Sequence, residues 1–516
     1  MEKAINQVAY SKGMADVTFY GGVGEIGGNK ILLCDEDEGR GGRIFLDFGM
    51  SFKQHGRYFS EFIQPRTSNG LNDFFELGLL PDMKGLYRND YLRHNKRETS
   101  AKPAVDGVLL THAHMDHMGY VNFLHEDCNV YSTPVTRDIC SVFDETGSGS
   151  HSDFVKTTKC FSYYENSKGA MSRIKHCKDP DIKKKARSYP IKENGVREFD
   201  AGGMRCRLLP LDHSLPGSCG FLIECDGAAV AYTGDLRFHG KSPERTRRFI
   251  KACASSKPDL LICEGTNIDE EPGLSEDDVE TRISQAIAEA GKNHLFATFP
   301  VRDTDRLMSF YRAAIGNERK LAVNLKQAFL LDRLAESGSL ASGKEVVPSR
   351  DPHLAVYAKK KDYGLIGGDA DTDEKKRDYD VWEREFIGQD NCICWKDMRE
   401  RPEDYVLYLD SFSIQELVDI KPLSGSLYIK SSCEPFDLEM ELDWKRMLNW
   451  FSHFGLRHTQ IHASGHACGS ELLEMVREIA PKRVMPVHTE KPGLFKEALA
   501  GEMEVLPPEL NKVYGV

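Results

Sequence analysis

The chain carries 14 cysteines in 516 residues yet contains no C-x-x-C pair; the nearest approach is Cys392-Ile393-Cys394. That absence argues against a cysteine zinc site, and the scattered spacing argues against a disulfide framework. Most of the cysteines read as small buried residues, and a reducing, cytoplasmic setting is expected. Long apolar runs are missing too. None approaches the ~20 residues that a bilayer-spanning helix needs, and Met1-Glu2-Lys3-Ala4 does not open a signal peptide, so no membrane partner is expected. Positive charge is in deficit, with 68 Lys and Arg against 80 Asp and Glu and a net charge of −12. The whole molecule therefore does not attract nucleic acid, and any such binding needs a local basic groove. There is no internal repeat and no low-complexity tail. Hydrophobic residues at 40% and charged residues at 29% are those of a soluble globular protein, long enough for two or more domains.

The first third reads as strands separated by turns. Val17-Thr18-Phe19-Tyr20 and Ile31-Leu32-Leu33 flank a glycine-rich stretch from Gly21 to Gly28. Gly22, Gly24 and Gly27 satisfy G-x-G-x-x-G, but the next residues read as a strand where a dinucleotide site needs a helix. Several apolar runs end in a polar residue. Ile44-Phe45-Leu46 meets Asp47, Ala229-Val230-Ala231-Tyr232 leads to Asp235, Leu260-Leu261-Ile262-Cys263 meets Glu264, and Val484-Met485-Pro486-Val487 meets His488. Buried strands that deliver chemistry at their carboxyl ends are a recurring α/β arrangement. Residues 220–224 and 228–232 look like a hairpin around Asp226-Gly227. Helical periodicity dominates residues 278–334, residues 340–405 look charged and irregular, and strands return at 406–409 and 427–429. The simplest partition is a metal-binding domain interrupted by an inserted α/β domain.

The sharpest motif is His112-Ala113-His114-Met115-Asp116-His117, directly after the apolar Val108-Leu109-Leu110. In extended chain, residues two apart share a side, which groups His112, His114 and Asp116; His117 follows at the start of a helix. Three imidazoles and a carboxylate at one strand end form a metal cluster with room for two ions. Mixed His/Asp ligation suits Zn2+, with Mn2+ as the alternative because no cysteine takes part.

The order Asp47, H-x-H-x-D-H, His213, Asp235 and a late histidine resembles the motif series of the metallo-β-lactamase superfamily. His462-Ala463-Ser464-Gly465-His466, and His488 after Pro486-Val487, resemble the last two motifs of its β-CASP nucleases; Glu264 matches the acidic motif before their inserted domain. The glycine-rich stretch near the start, and Ser431-Ser432-Cys433-Glu434-Pro435, look like ribonuclease J-type features. The resemblance implies an α/β fold: an αββα metallo-β-lactamase sandwich (1–268 and 456–516) with an inserted β-CASP α/β domain (269–455). It assigns one divalent ion to His112, His114 and His213, and a second to Asp116, His117 and His488. Asp235 bridges, and Asp47 orients ligand histidines from behind. His466 protonates a leaving oxygen, held by Glu264. Ser464 and the Gly465 amide hold a phosphate oxygen.

The function implied is a metal-dependent ribonuclease acting through a metal-activated water. Its RNA preference leans on a histidine at the last motif, and the ribonuclease J-like features point to 5′→3′ exonuclease action with endonuclease action alongside. RNA is the expected partner, and a homodimer is the assembly left open. Arg302 and Arg306 are expected to face a phosphate channel. A basic run from Lys156 to Arg187, with Phe161, Tyr163 and Tyr164 interleaved, offers either an RNA surface or a solvated face. Two other readings compete: an ester or thioester hydrolase on the same fold, and a non-catalytic RNA-binding scaffold.

Overall fold

The computed structural model describes residues 15–35, 41–60, 62–147, 153–157, 163–165, 167–169, 171–173, 186–225, 227–337, 346–366, 376–435 and 438–516. Two sheets face each other. The first runs Val513–Gly515, Asp16–Gly21, Lys30–Cys34, Arg43–Leu46, Gly107–Leu109, Asn129–Tyr131. The second runs Glu504–Val505, Arg483–Val487, Leu260–Glu264, Ala228–Tyr232, Cys219–Cys225, Met204–Pro210, Arg197–Ala201. Alternation along the strands supplies the glue. Phe19, Ile31, Leu33, Ile44 and Leu46 point inward from the first sheet and meet Leu208, Phe221, Ile223, Val230 and Ile262 from the second in one buried layer. The opposite side chains, such as Phe45 and Val108 on one sheet and Leu222 and Leu261 on the other, pack under outer layers of helix and loop. This is an αββα sandwich, and the expected hairpin is present, with Phe221 opposite Tyr232.

Parallel pairing is what gathers the chemistry. Arg43–Leu46 runs parallel to Gly107–Leu109, so their carboxyl ends deliver Asp47 and the Thr111–His112 step side by side. Leu260–Glu264 lies between Ala228–Tyr232 and Arg483–Val487, parallel to both, so Asp235, Glu264 and His488 leave the second sheet at the same rim. Sites at strand carboxyl ends follow from this topology.

The insert is a seven-stranded, all-parallel sheet ordered Cys392–Ile393, Leu354–Tyr357, Lys320–Asn324, Tyr405–Tyr408, Leu295–Thr298, Leu427–Lys430, Arg457–Gln460. Its inner strands, Leu354–Tyr357 and Tyr405–Tyr408 among them, are buried along their length because apolar layers cover both faces, as parallel sheets require. Helices Glu276–Ala290 and Leu325–Glu336 start at capping boxes, Ser275 with Asp278 and Asn324 with Gln327.

Two expectations need correction. Residues 340–405 are not merely irregular: the short Leu-Ala-Val-Tyr strand 354–357 is central enough to pair on both sides, and its shortness between charged flanks hid it. The parallel ladder also continues past residue 455 into Arg457–Gln460, because Leu427–Lys430 still has an open edge there. The acidic-basic run at 369–377 falls largely outside the described residues. Among the described residues, no disulfide joins two cysteines and most cysteines are buried, and no helix is long and apolar enough to cross a membrane.

Candidate metal centre

His112 follows its strand in extended chain, and His114 caps the one-turn helix Met115–Met118. Asp116 and His117 therefore arrive by the turn of that helix, not by the strand alternation expected for Asp116. Backbone crowding makes the placement tight. A Cβ on Gly49 would fall 1.6 Å from the Asp116 carbonyl, and one on Gly27 (φ +76°) 2.5 Å from Asp116 Oδ2, so both loops pack against Asp116 only as glycine. Asp47 and His488 themselves hold left-handed φ values of 55° and 53°. Such backbone is costly outside glycine and clusters at functional sites.

Side chains distant in sequence converge. His112 Nε2 and His213 Nε2 lie 3.0 and 3.2 Å from His114 Nδ1. Ligands held at ~2.0–2.1 Å in a tetrahedron stand about 3.3 Å apart, so this trio has the spacing of a zinc-type site. On the other side, His488 Nε2 and His117 Nε2 lie 3.2 and 3.9 Å from Asp116 Oδ2. Asp235 Oδ2 joins the groups: it is 3.1 Å from His117, 3.5 Å from His112, 3.6 Å from His488 and 3.9 Å from His213. All seven residues expected as ligands thus share one pocket.

The outward atoms are tied down. His117 Nδ1 donates to Asp47 Oδ2 at 2.7 Å, and His213 Nδ1 donates to the Gly465 carbonyl at 2.6 Å. Each bond leaves Nε2 bare and aimed inward. His112 Nδ1 meets Thr111 Oγ1 at 2.9 Å and His488 Nδ1 meets Thr266 Oγ1 at 2.8 Å. Asp47 also accepts from the Thr111 amide and from Tyr232 Oη, at 2.8 and 2.7 Å, and Asn29 braces Tyr232 at 2.9 Å. Thr111, Thr266, Tyr232 and Asn29 escaped sequence reasoning. Thr111 was signalled by its position directly before His112; the others had no local signal.

The electrostatics suit cations. Burial drives His112 and His213 well below the usual imidazole range and His114 to about 3, so these ligands are neutral. Burial acts the same way on His117, but Asp235, Asp47 and Asp116 outweigh it and raise its pKa well above normal. A proton on His117 then stands where a metal's charge belongs. Burial opposes ionisation of Asp235, yet His117 and His488 hold it well below the carboxylate range. Buried Asp235 Oδ1 and His117 Nε2 lack hydrogen-bond partners among the described residues. Orphaned buried polar atoms beside a His/Asp cluster fit divalent metal binding.

Beside this pocket, His466 Nδ1 sits 2.9 Å from Glu264 Oε2. Burial lowers the His466 pKa, but Glu264 and then Asp235 prevail and lift it to about 9. Glu264 is itself held by the Leu236 amide at 2.8 Å and Thr266 Oγ1 at 2.9 Å. Ser464 Oγ accepts from Asn267 Nδ2 and the His466 amide, at 2.9 and 3.1 Å, which leaves its own O–H as a donor. A Cβ on Gly465 would lie 3.2 Å from the His213 ring, so the turn lies against that imidazole.

The arginines part company. Arg302 reaches across from the insert: Nη1 donates to the Ala113 carbonyl at 2.6 Å, between two ligand histidines, and the guanidinium lies over the Phe143 ring. Arg306 does not face a channel. It is fully buried and bonded to Glu276, Ser431, His462 and Ala463. Glu276 also binds Arg237, which reaches the Ser464 carbonyl at 3.3 Å and Asp305. This buried cluster pins the insert to the sandwich behind the Ser464 turn, and a charge buried at a domain junction needs such pairing. In the basic run, Arg187 is buried and bonded to the Leu124 and His125 carbonyls, so it cannot contact RNA. Lys159, Phe161, Lys175, Lys178 and Lys183 to Lys185 lie outside the described residues.

Fold and pocket together define an αββα core that carries a candidate divalent-metal centre. Residues 90–278 match the metallo-beta-lactamase superfamily, and residues 456–504 match the Zn-dependent metallo-hydrolase RNA specificity domain. The chain thus carries a metallo-β-lactamase superfamily domain and a metallo-hydrolase RNA specificity domain, and it is similar to ribonuclease J. It is 22% identical to ribonuclease J of Corynebacterium glutamicum over 75% of this chain and 45% of that one. It is 23% identical to that of Mycolicibacterium smegmatis over 96% and 72%. Ribonuclease J of Helicobacter pylori is 22% identical over 93% and 57%. The chain thus spans less than two thirds of the length of two of these three relatives. A crystal structure of a protein of unknown function from Enterococcus faecalis shares the fold, with a TM-score of 0.68, 20% identity, and coverage of 98% of this chain and 100% of that one.

Proposed function

We propose that the protein is a metal-dependent ribonuclease that hydrolyses RNA phosphodiester bonds. The observation that carries this reading is Asp235 Oδ2, centred within 4 Å of four imidazoles drawn from two ligand sets. His112, His114 and His213 would hold one ion, Asp116, His117 and His488 a second, and Asp235 would bridge. Zn2+ is favoured and Mn2+ is the alternative, given nitrogen and oxygen donors alone. When bound, such ions lower the pKa of a water toward ~7 and offset charge on the phosphodiester.

The chain's own residues supply the rest. His466, protonated at neutral pH through Glu264, gives its proton to the leaving oxygen. The Ser464 hydroxyl and the Gly465 amide orient a non-bridging phosphate oxygen. Arg302 reaches the pocket from the insert at the Ala113 carbonyl and suits the adjoining phosphate. Similarity to ribonuclease J and to an RNA specificity domain supports RNA as the substrate. We read the polarity as 5′→3′ exonucleolytic, with endonucleolytic entry alongside, in the cytoplasm, with a homodimer as the assembly to test. We keep the division 1–268, 269–455 and 456–516 as the proposed domain organisation, with the insert's ladder running on into Arg457–Gln460 of the returning segment.

The test compares digestion of 5′-phosphorylated, 5′-hydroxyl and circular RNA with Zn2+ or Mn2+ supplied. Release of mononucleotides from the 5′-phosphorylated strand is expected, and His114→Ala abolishes it. Cleavage of the circle adds endonuclease action. If no RNA is cut under either metal, the reading fails.

A further inference from the structure

The segment after Asp47 exposes apolar side chains that a sandwich core would normally claim. Phe62 is 87% exposed, Ile63 62%, Phe52 42% and Tyr58 39%, while Phe59 alone turns inward onto Phe74. Large apolar side chains left exposed within one short segment are candidates for an interaction site. Its position is set by polar ties to the metal pocket. Glu25 accepts from Ser51 Oγ at 2.7 Å and from Gln54 Nε2 at 3.3 Å, and bridges to Thr489, the residue after His488. Lys53 pairs with Glu490 at 2.5 Å, two residues beyond His488. This segment therefore stands beside the His488 strand end of the pocket.

Its charges choose the partner. Arg57 lies over the Tyr58 ring at 5.5 Å and donates to Gln54 at 3.0 Å. The Lys53–Glu490 pair is half-exposed on both sides, so its bond is weak and Lys53 exchanges readily to a phosphate. The aromatic faces beside Arg57 and Lys53 locally complement a polyanion that carries flat bases.

We propose that residues 52–60 with Phe62 and Ile63 form a platform for unpaired RNA, with bases stacking on Tyr58 and Phe62 and the backbone passing Arg57 and Lys53. Stacking of this type is tolerant of sequence, so the platform grips a strand outside the pocket without choosing where it is cut. The inference rests on the ribonuclease reading for its substrate, and the test separates the two.

Binding is measured with a fluorescent, phosphorothioate-linked, unstructured RNA oligonucleotide on the metal-loaded protein. Hydrolysis of bis(p-nitrophenyl) phosphate reports the pocket independently. The double variant Tyr58→Ala with Phe62→Ala binds the oligonucleotide about tenfold more weakly or worse, as loss of base–aromatic stacks requires, with the small-substrate rate unchanged. Phe62→Trp keeps the affinity and Phe62→Leu does not. Equal binding by wild type and double variant, with RNA cleavage intact, overturns the platform and spares the ribonuclease reading. Tight binding that depends on Tyr58 and Phe62, with no cleavage, does the reverse. A wild-type dimer that the double variant turns into a monomer, with RNA affinity unmoved, also overturns the platform in favour of a second copy.

Discussion

Replacing Glu264 by Gln removes one negative charge from the side chain that holds His466, with little change of shape. The Nδ1···Oε2 contact of 2.9 Å is a charge-assisted bond inside a buried pocket. Such bonds contribute about 1.5–3 kcal/mol, and one pKa unit corresponds to about 1.4 kcal/mol. The substitution therefore lowers the His466 pKa by about 1–2 units from its value of about 9. The sign follows from the proton's role. A general acid works while it is protonated, so activity is present below the His466 pKa and lost as pH rises through it. In the metal-free protein, histidine NMR titration should place His466 near 9 in the wild type and about 1–2 units lower in Glu264→Gln. In the loaded enzyme, the alkaline limb of the pH–rate profile shifts the same way, although bound cations lower both starting points. The raised pKa also adds stability to the metal-free fold that is fully present below the unfolded value of 6.5 and lost as pH rises through about 9. A wild-type His466 that titrates at an ordinary imidazole value, or one that Glu264→Gln leaves unmoved, refutes the argument.

Asp47→Ala unties His117 and Tyr232, and metal affinity falls about 10–100-fold, as loss of an outer ligand partner does; competition with a chromogenic chelator measures it. Glu276→Ala leaves Arg237 and Arg306 buried and uncompensated at the domain junction and costs about 3–5 kcal/mol in urea unfolding. Because Arg237 and Arg306 hold the Glu276 pKa at about 2 against burial, that cluster's stability is present above the ordinary carboxylate value of 4.5 and is lost as pH falls toward 2; an acid titration of Tm checks it. Zn2+ at a hundredfold over its Kd raises folding stability by about 2.7 kcal/mol, visible as a Tm shift that chelator reverses; no shift argues against the pocket as a metal site.

Much of the pocket was readable before the fold. His112, His114, Asp116 and His117 are adjacent in sequence, so local geometry alone joins them. Asp47, Asp235, Glu264 and His488 each end an apolar run, and strand periodicity marks those ends. His213 and Ser464 to His466 have weak local signals and gained meaning only from their order along the chain. Arg306 misled because a basic residue near a helix start looks the same whether it meets a phosphate or a buried glutamate. Leu354–Tyr357 escaped because a four-residue strand shows no period, and burial of both faces in a parallel sheet erases alternation.

The chain's composition and spacing alone pointed to the class of chemistry: imidazoles and carboxylates at strand ends, with no C-x-x-C pair to supply thiolate ligands. Only tertiary structure decided which side of each imidazole faces inward, that Asp235 lies between the two ligand groups, and that Arg302 meets the pocket while Arg306 is sealed behind it. The physical reason is that side-chain identity sets which bonds a group can make, whereas burial and the choice among competing partners depend on neighbours brought together from hundreds of residues away.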